Sequence, residues 1–100
     1  MASVELQVYP PLSYKLTSKR VGALTLREEI RQGGTLGDLL ARLAASNPEA
    51  WGDIFDARTN QVRRVILIVV NRTAVSPSLA SQASLSEGDQ IALRLPYSGG

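Results

Sequence analysis

The sequence predicts an α+β fold, a mixed sheet of four to five strands with one main helix packed on one face, and three stretches carry that expectation. Val4, Leu6 and Val8 alternate with Glu5, Gln7 and Tyr9, the period of two of a half-buried strand. Leu36, Leu39, Leu40, Leu43 and Ala44 fall at i, i+3, i+4, i+7 and i+8, one apolar stripe along one helix. Val65 to Val70 is an unbroken, mostly β-branched run, which reads as a strand covered on both faces at or near the centre of the sheet.

Pro10-Pro11 ends the first strand, and a polar loop through Ser18, Lys19, Arg20 and Gly22 leads to Leu24, Leu26 and Ile30 alternating with Thr25, Arg27 and Glu29. This is a second strand, hairpin-paired with the first, and Glu28 is the one misfit on its apolar side. Gly33-Gly34 breaks it. Thr35 then offers its hydroxyl as a helix N-cap with Asp38 three positions on, a capping-box-like pair near the positive end of the helix. Ser46, Asn47 and Pro48 stop the helix, because proline disfavours helical geometry in the residue before it. From Glu49 to Arg64 the pattern is less regular: Ala50, Trp51, Ile54 and Phe55 suit a short helical turn on the core edge, followed by a loop around Thr59-Asn60. Asn71-Arg72 turns the chain, Thr73 to Val75 is a short return strand, and Ser76 to Ser84 is loop or a brief helical turn. Glu87-Gly88-Asp89 turns into a last strand in which Ile91, Leu93 and Leu95 alternate with Gln90, Ala92 and Arg94. Residues 1–96 are expected to form one domain and residues 97–100 a flexible Gly-Gly tail.

Composition narrows the function. With 44% apolar and 20% charged residues of both signs, the chain suits a single globular core. The longest apolar run falls far short of the roughly 18 to 20 residues of a membrane span, and the amino terminus lacks the blocks of a secretory signal, so a cytoplasmic address is the expectation. Cysteine and histidine are both absent, which removes disulfides, thiolate nucleophiles, Ser-His and Cys-His relays and the usual zinc sites. No metal site is expected. The net charge is only +2 and the basic residues are spread along the chain, so neither nucleic acid nor membrane is an expected partner.

The sequence closes on Tyr97, Ser98, Gly99 and Gly100, directly after an apolar strand and Pro96. Two glycines lack Cβ, so such a tail can lie extended and pass close to a partner's walls where a branched residue would block it. Five residues from Pro96 reach roughly 17 Å, at about 3.3 to 3.6 Å each, enough to enter another protein's active site.

The element order is that of the ubiquitin-like β-grasp, and four stretches sharpen the likeness to the MoaD/ThiS family of small sulfur carriers. Gly34-Thr35-Leu36-Gly37-Asp38-Leu39-Leu40 resembles the start of the family's helix, and Val69-Val70-Asn71-Arg72 resembles its strand followed by Val-Asn-Gly, with Arg72 where glycine is common. Leu85 to Ile91 is similar to the family's turn into the final strand. Leu93-Arg94-Leu95-Pro96-Tyr97-Ser98-Gly99-Gly100 matches its apolar strand, proline, short spacer and terminal Gly-Gly. The resemblance implies a protein cosubstrate with no bound cofactor, not an enzyme. A partner similar to ubiquitin-activating enzymes uses ATP to adenylate the Gly100 carboxylate, and a sulfur donor converts the acyl-adenylate to a thiocarboxylate, leaving a C-terminal 1-thioglycine. The sulfur then passes to an accepting synthase subunit, MoaE-like or its equivalent in thiamine or cysteine pathways. Gly100 is the reacting terminus, Gly99 the slender neck, and Pro96, Tyr97 and Ser98 the spacer. Two other readings stand beside this one: a ubiquitin-like modifier joined through Gly100 to lysines, and an inert β-grasp interaction domain.

One helix covers only one sheet face, so the other is expected to serve as a docking surface for the activating enzyme, with Ala92 and Arg94 on it leading to the tail. Other signals have plain structural readings. Gly33-Gly34 before a helix could cradle a phosphate but suits a turn and cap. Glu28-Glu29 suits solvated or edge positions, Asp53 and Asp56 suit surface charge, and Trp51 and Phe55 suit core-edge packing. Arg63-Arg64 suits an aggregation gatekeeper beside an apolar strand, with steering of an acidic partner as the alternative.

Overall fold

The computed structural model describes residues 1–17 and 22–95. Strand β1 (Ala2–Val8) and β2 (Leu24–Ile30) form the expected antiparallel pair, with Leu6 opposite Leu26 and Ala2 opposite Ile30. Between them the chain makes a 3₁₀ turn over Leu12–Lys15. Helix α1 (Leu36–Ser46) follows, then α2 (Pro48–Trp51), a two-stranded ribbon of β3 (Phe55–Asp56) and β4 (Gln61–Val62), β5 (Leu67–Val70), β6 (Thr73–Val75), α3 (Pro77–Ala80) and β7 (Gln90–Arg94).

The main sheet has five strands in the order β2-β1-β7-β5-β6, mixed because β7 runs parallel to β1 and antiparallel to β5. This is a β-grasp. Its central strand is β7, the last in sequence, which holds a neighbour on each side. The apolar run Val65 to Val70 is therefore an interior strand next to the edge strand β6, and only its last four residues pair. Its coverage also differs from the expectation. Ile66 and Ile68 are buried under the helix side, but Leu67 and Val69 are half-buried on the uncovered face and Val65 is 43% exposed. A β-branched run reports strand propensity, not the number of layers that end up covering it.

The helix stripe packs as its spacing requires: Leu36, Leu39, Leu40 and Ala44 are buried in one core cluster with Val4, Leu6, Ile91 and Leu93, with Leu43 at its margin. The capping box forms in both directions, Asp38 N–H donating to Thr35 Oγ1 at 3.1 Å and Thr35 N–H to Asp38 Oδ2 at 3.2 Å. Glu28, the misfit of β2, is answered from the helix: Arg42 donates to its Oε1 at 2.9 Å and to the Glu29 carbonyl at 2.8 Å. Pro48 both ends α1 and occupies the first turn of α2, where its missing N–H costs nothing. Trp51 and Phe55, placed by sequence at the core edge, are buried at 3% and 1% exposure. The β3–β4 ribbon carries Phe55 and Val62 into the core, an element that two-residue strands are too short to announce by alternation.

The two-residue turn from β5 to β6 holds Asn71 at φ 50° and Arg72 at φ 75°, both left-handed, as a tight hairpin of the primed type requires. Asn71 is repaid by its side chain, whose Oδ1 accepts the Gln90 N–H at 2.9 Å and whose Nδ2 donates to Asp89 at 2.8 Å. Arg72 is exposed and gains nothing comparable. Arg72→Gly is expected to stabilise the fold by about 1 kcal/mol, the left-handed penalty of roughly 1–2 kcal/mol less the extra freedom of glycine in the unfolded chain. Thermal denaturation should show a midpoint raised by about 5 °C.

Candidate functional site

The site read from sequence lies at the end of β7. Residues Pro96, Tyr97, Ser98, Gly99 and Gly100 lie outside the described residues, so the site described is the root from which they continue. That root is the sheet's central strand: Gln90 to Leu93 pair with Glu5 to Val8 on one side, and Ile91 to Arg94 with Val70 to Leu67 on the other. The Tyr9 N–H adds a further bond to the Leu93 carbonyl at 2.9 Å. A strand held along both edges is among the last parts of a sheet to open locally.

Ile91 and Leu93 point into the core and are buried, whereas Ala92 and Arg94 are half-buried on the opposite, helix-free face. Across that face one row runs Gln7, Ala92, Val69 and Ala74, and Leu67 stands opposite Arg94. The result is a small apolar centre between polar flanks. The Arg94 guanidinium lies 5.5 Å from the centroid of the Tyr9 ring, and the Tyr9 hydroxyl donates to Gln7 Oε1 at 3.2 Å. The Arg94 side chain makes no hydrogen bond or ion pair with a described residue, and its Nε is buried without an acceptor. A buried donor left unmet costs roughly 1–3 kcal/mol, so an acceptor brought by another molecule would be favoured there. Alternation places Tyr9 on this face, but its pairing with Arg94 depends on the β1–β7 register, which sequence alone does not give.

The other candidate residues separate into structural roles. At the start of α1 the N–H groups of Leu36, Gly37, Asp38 and Leu39 donate to Ala83 O, Ser81 O, Thr35 Oγ1 and Thr35 O, so the first-turn donors that would cradle a phosphate are already engaged. Asp53 pairs with Lys15 at 2.8 Å and Asp56 turns to Arg58 and Arg63, so the two acids do not converge. Among the described residues no cluster of acids has the make-up of a metal site. Arg63 is a staple, its Nε donating to the Gly52 carbonyl at 2.9 Å and its Nη1 reaching Asp56 at 3.5 Å, while Arg64 is exposed and its side chain has no partner among the described residues. None of the described helices is long and apolar enough to cross a membrane.

Asp56 also has a pH consequence. The Arg58 backbone N–H at 3.0 Å, supported by the cations of Arg63 and Arg58, holds its carboxyl below the ordinary aspartate range. As pH falls the unfolded chain takes up this proton before the folded one, so the contribution of Asp56 is full above the ordinary aspartate range. It is lost as pH drops through the depressed folded value. Asp56→Asn should lower the melting temperature at neutral pH, with the gap to the parent closing in acid.

The fold is shared with solved structures. The crystal structure of SAMP1 from Haloferax volcanii aligns with a TM-score of 0.72 at 25% identity, covering 99% of this chain and 100% of that one. The SAMP1 solution structure from Methanosarcina acetivorans aligns at 0.66 and 22% identity, covering 100% and 98%. A Pyrococcus furiosus protein described as molybdopterin converting factor, subunit 1, aligns at 0.64 and 16% identity, covering 96% and 99%. No curated protein sequence is significantly similar. The sequence model of the ThiS family matches residues 17–100, from the 3₁₀ turn's exit through both glycines. ThiS family proteins are small carriers that act with activating enzymes of the ubiquitin-activating type. This chain therefore belongs to the ThiS family.

Proposed function

We propose that the chain is a sulfur carrier that works through the carboxylate of Gly100. The carboxylate is a poor electrophile; attack of its oxygen on the α-phosphorus of ATP, in the partner's active site, expels pyrophosphate and gives the acyl-adenylate. A donor at the oxidation level of hydrosulfide then attacks the acyl carbon through its sulfur, AMP leaves with the bonding pair, the sulfur gives up its proton to solvent, and the thiocarboxylate remains on Gly100. In this reading Gly99 is the neck that fits a narrow channel, and Pro96, Tyr97 and Ser98 span the distance from the sheet. The observation that carries it is the family match running through residue 100, on a sequence whose last strand is the central strand of the sheet, paired along both edges. An acceptor subunit of the MoaE type, serving molybdopterin synthesis, is the preferred destination of the sulfur; the likeness to a molybdopterin converting factor subunit supports it at the level of fold.

The helix-free face around Ala92 is the proposed docking surface for the activating enzyme, with Arg94 donating to one of its carboxylates. ATP–pyrophosphate exchange by the purified activating enzyme should depend on added chain, and Arg94→Glu should raise the KM for the chain at least tenfold. Exchange that does not respond to the chain would end the carrier reading, and an unchanged KM would end the placement of Arg94. A second reading has its own support in the full-length alignment with SAMP1 at 25% identity. If the chain is also a modifier, isopeptide conjugates through Gly100 will survive reducing agents on denaturing gels.

A further inference from the structure

A second feature flanks the tail root on the side away from Ala92 and Arg94. Pro11, Leu12, Tyr14, Val65 and Leu95 line an open groove of about 530 Å³, with the Lys15–Asp53 ion pair at its rim. Its described lining comes from four separated segments: the stretch after β1, Asp53 between α2 and β3, Val65 just before β5, and Leu95, the last described residue of the root. Val65 is the telling member. It stands in a β-branched run that would ordinarily be buried, yet the turn closed by the Ile66 N–H on the Arg63 carbonyl leaves it 43% exposed. Among the described residues the only other large apolar side chains so exposed are Met1 and Leu79, neither of which lines this groove. A volume of several hundred Å³ with apolar walls is in the range of pockets that receive another molecule's apolar groups.

We infer that this groove receives a bulky apolar side chain of the activating enzyme, set beside a carboxylate that pairs with Arg64. Position argues for that occupant. Leu95 is a wall of the groove and Gly100 is five residues on, so an enzyme holding the Gly100 carboxylate keeps its active site within roughly 17 Å of that wall. Its surface must pass over the groove or beside it. Charge argues for the flanking acid. Lys15 and Asp53 pair at 2.8 Å, and the exposed cation of Arg64, next to Val65 in the chain, has no ion-pair partner among the described residues. The groove and the helix-free face then lie on opposite sides of the root, so the enzyme grips the strand from both.

This inference rests on the carrier reading, and two measurements keep their failures apart. The full chain, Val65→Asp and Arg64→Glu are each titrated into the purified activating enzyme by calorimetry and assayed for pyrophosphate exchange. Val65→Asp would drive an unpaired carboxylate against an apolar occupant, and both variants alter exposed residues, so their melting should match the parent. The expected result is an affinity weakened about tenfold or more by Val65→Asp, a smaller loss for Arg64→Glu that grows less at high salt, and a raised KM with kcat kept. Parent-like affinity in both variants overturns the inference while leaving the carrier reading intact. No binding of the parent chain overturns it outright. Binding sensitive to Val65 without any exchange supports the groove and removes the carrier reading. A parent dimer in sedimentation that Val65→Asp disperses, with enzyme affinity unchanged, assigns the groove to a second copy and likewise overturns the inference.

Discussion

Removal of Gly99 and Gly100 is expected to reduce ATP–pyrophosphate exchange to the level of the activating enzyme without carrier, while thermal stability stays within about 0.5 kcal/mol of the parent. The two effects separate because they live on different parts of the chain. Among the described residues the buried apolar side chains run from Ala2 to Leu93, and the two glycines removed have no side chains. What it deletes is the acyl group itself, for which no side chain can substitute, because a shortened chain presents its carboxylate about 7 Å nearer the sheet at roughly 3.3 to 3.6 Å per residue. Gly99→Val separates reach from width. It keeps the carboxylate in place and adds a branched Cβ at the neck, and should lose most exchange activity, whereas Gly99→Ala should lose less. Full activity in Gly99→Val would show that no narrow channel encloses this position.

Gly37→Ala is expected to be the most disruptive single-methyl change in the described fold. Alanine ordinarily stabilises a helix relative to glycine by about 1 kcal/mol, so at an exposed position the sign would be favourable. Here it reverses. A Cβ on Gly37 would lie 2.5 Å from the Ser81 carbonyl oxygen and 3.0 Å from its Cβ, and the nearest atom is backbone, which cannot rotate away. The same carbonyl accepts the Gly37 N–H at 3.0 Å, so relieving the clash means giving up the bond that ties α1 to the segment after α3. The neighbouring bonds Leu36 N–H to Ala83 O and Leu85 N–H to Gly34 O would be strained with it. We expect a loss of roughly 3 kcal/mol, seen as a melting temperature lower by about 15 °C. A melting temperature equal to or above the parent's would mean that the segment after α3 shifts at no cost.

Both expectations show where sequence was enough and where it was not. The strands β1, β2 and β7 and the helix α1 were legible because each buries one face against one layer, so burial and spacing coincide. Thr35 and Asp38 were legible as caps because their chemistry is local. Gly37 was not: within the helix pattern it is a tolerated glycine, and only the packing of residues 81–83 against the helix start explains it. The fate of Val65–Val70 was illegible for the same reason, since strand propensity says nothing of which neighbours cover it. Arg94 was placed on the correct face by alternation, yet its contact with Tyr9 needed the parallel register between the first and last strands. The groove at Val65 needed four distant segments to meet, and a single sequence holds no local signal for that.

The central claim is that Gly100 is chemically charged by another protein. Intact-mass spectrometry of the full chain after incubation with the activating enzyme, ATP and a sulfur donor tests it most directly, with fragmentation to locate the change. The account predicts exchange of one oxygen for sulfur, confined to the Gly100 carboxyl and dependent on both ATP and donor. An unchanged mass with an enzyme competent on another carrier, or sulfur found elsewhere in the chain, would contradict it.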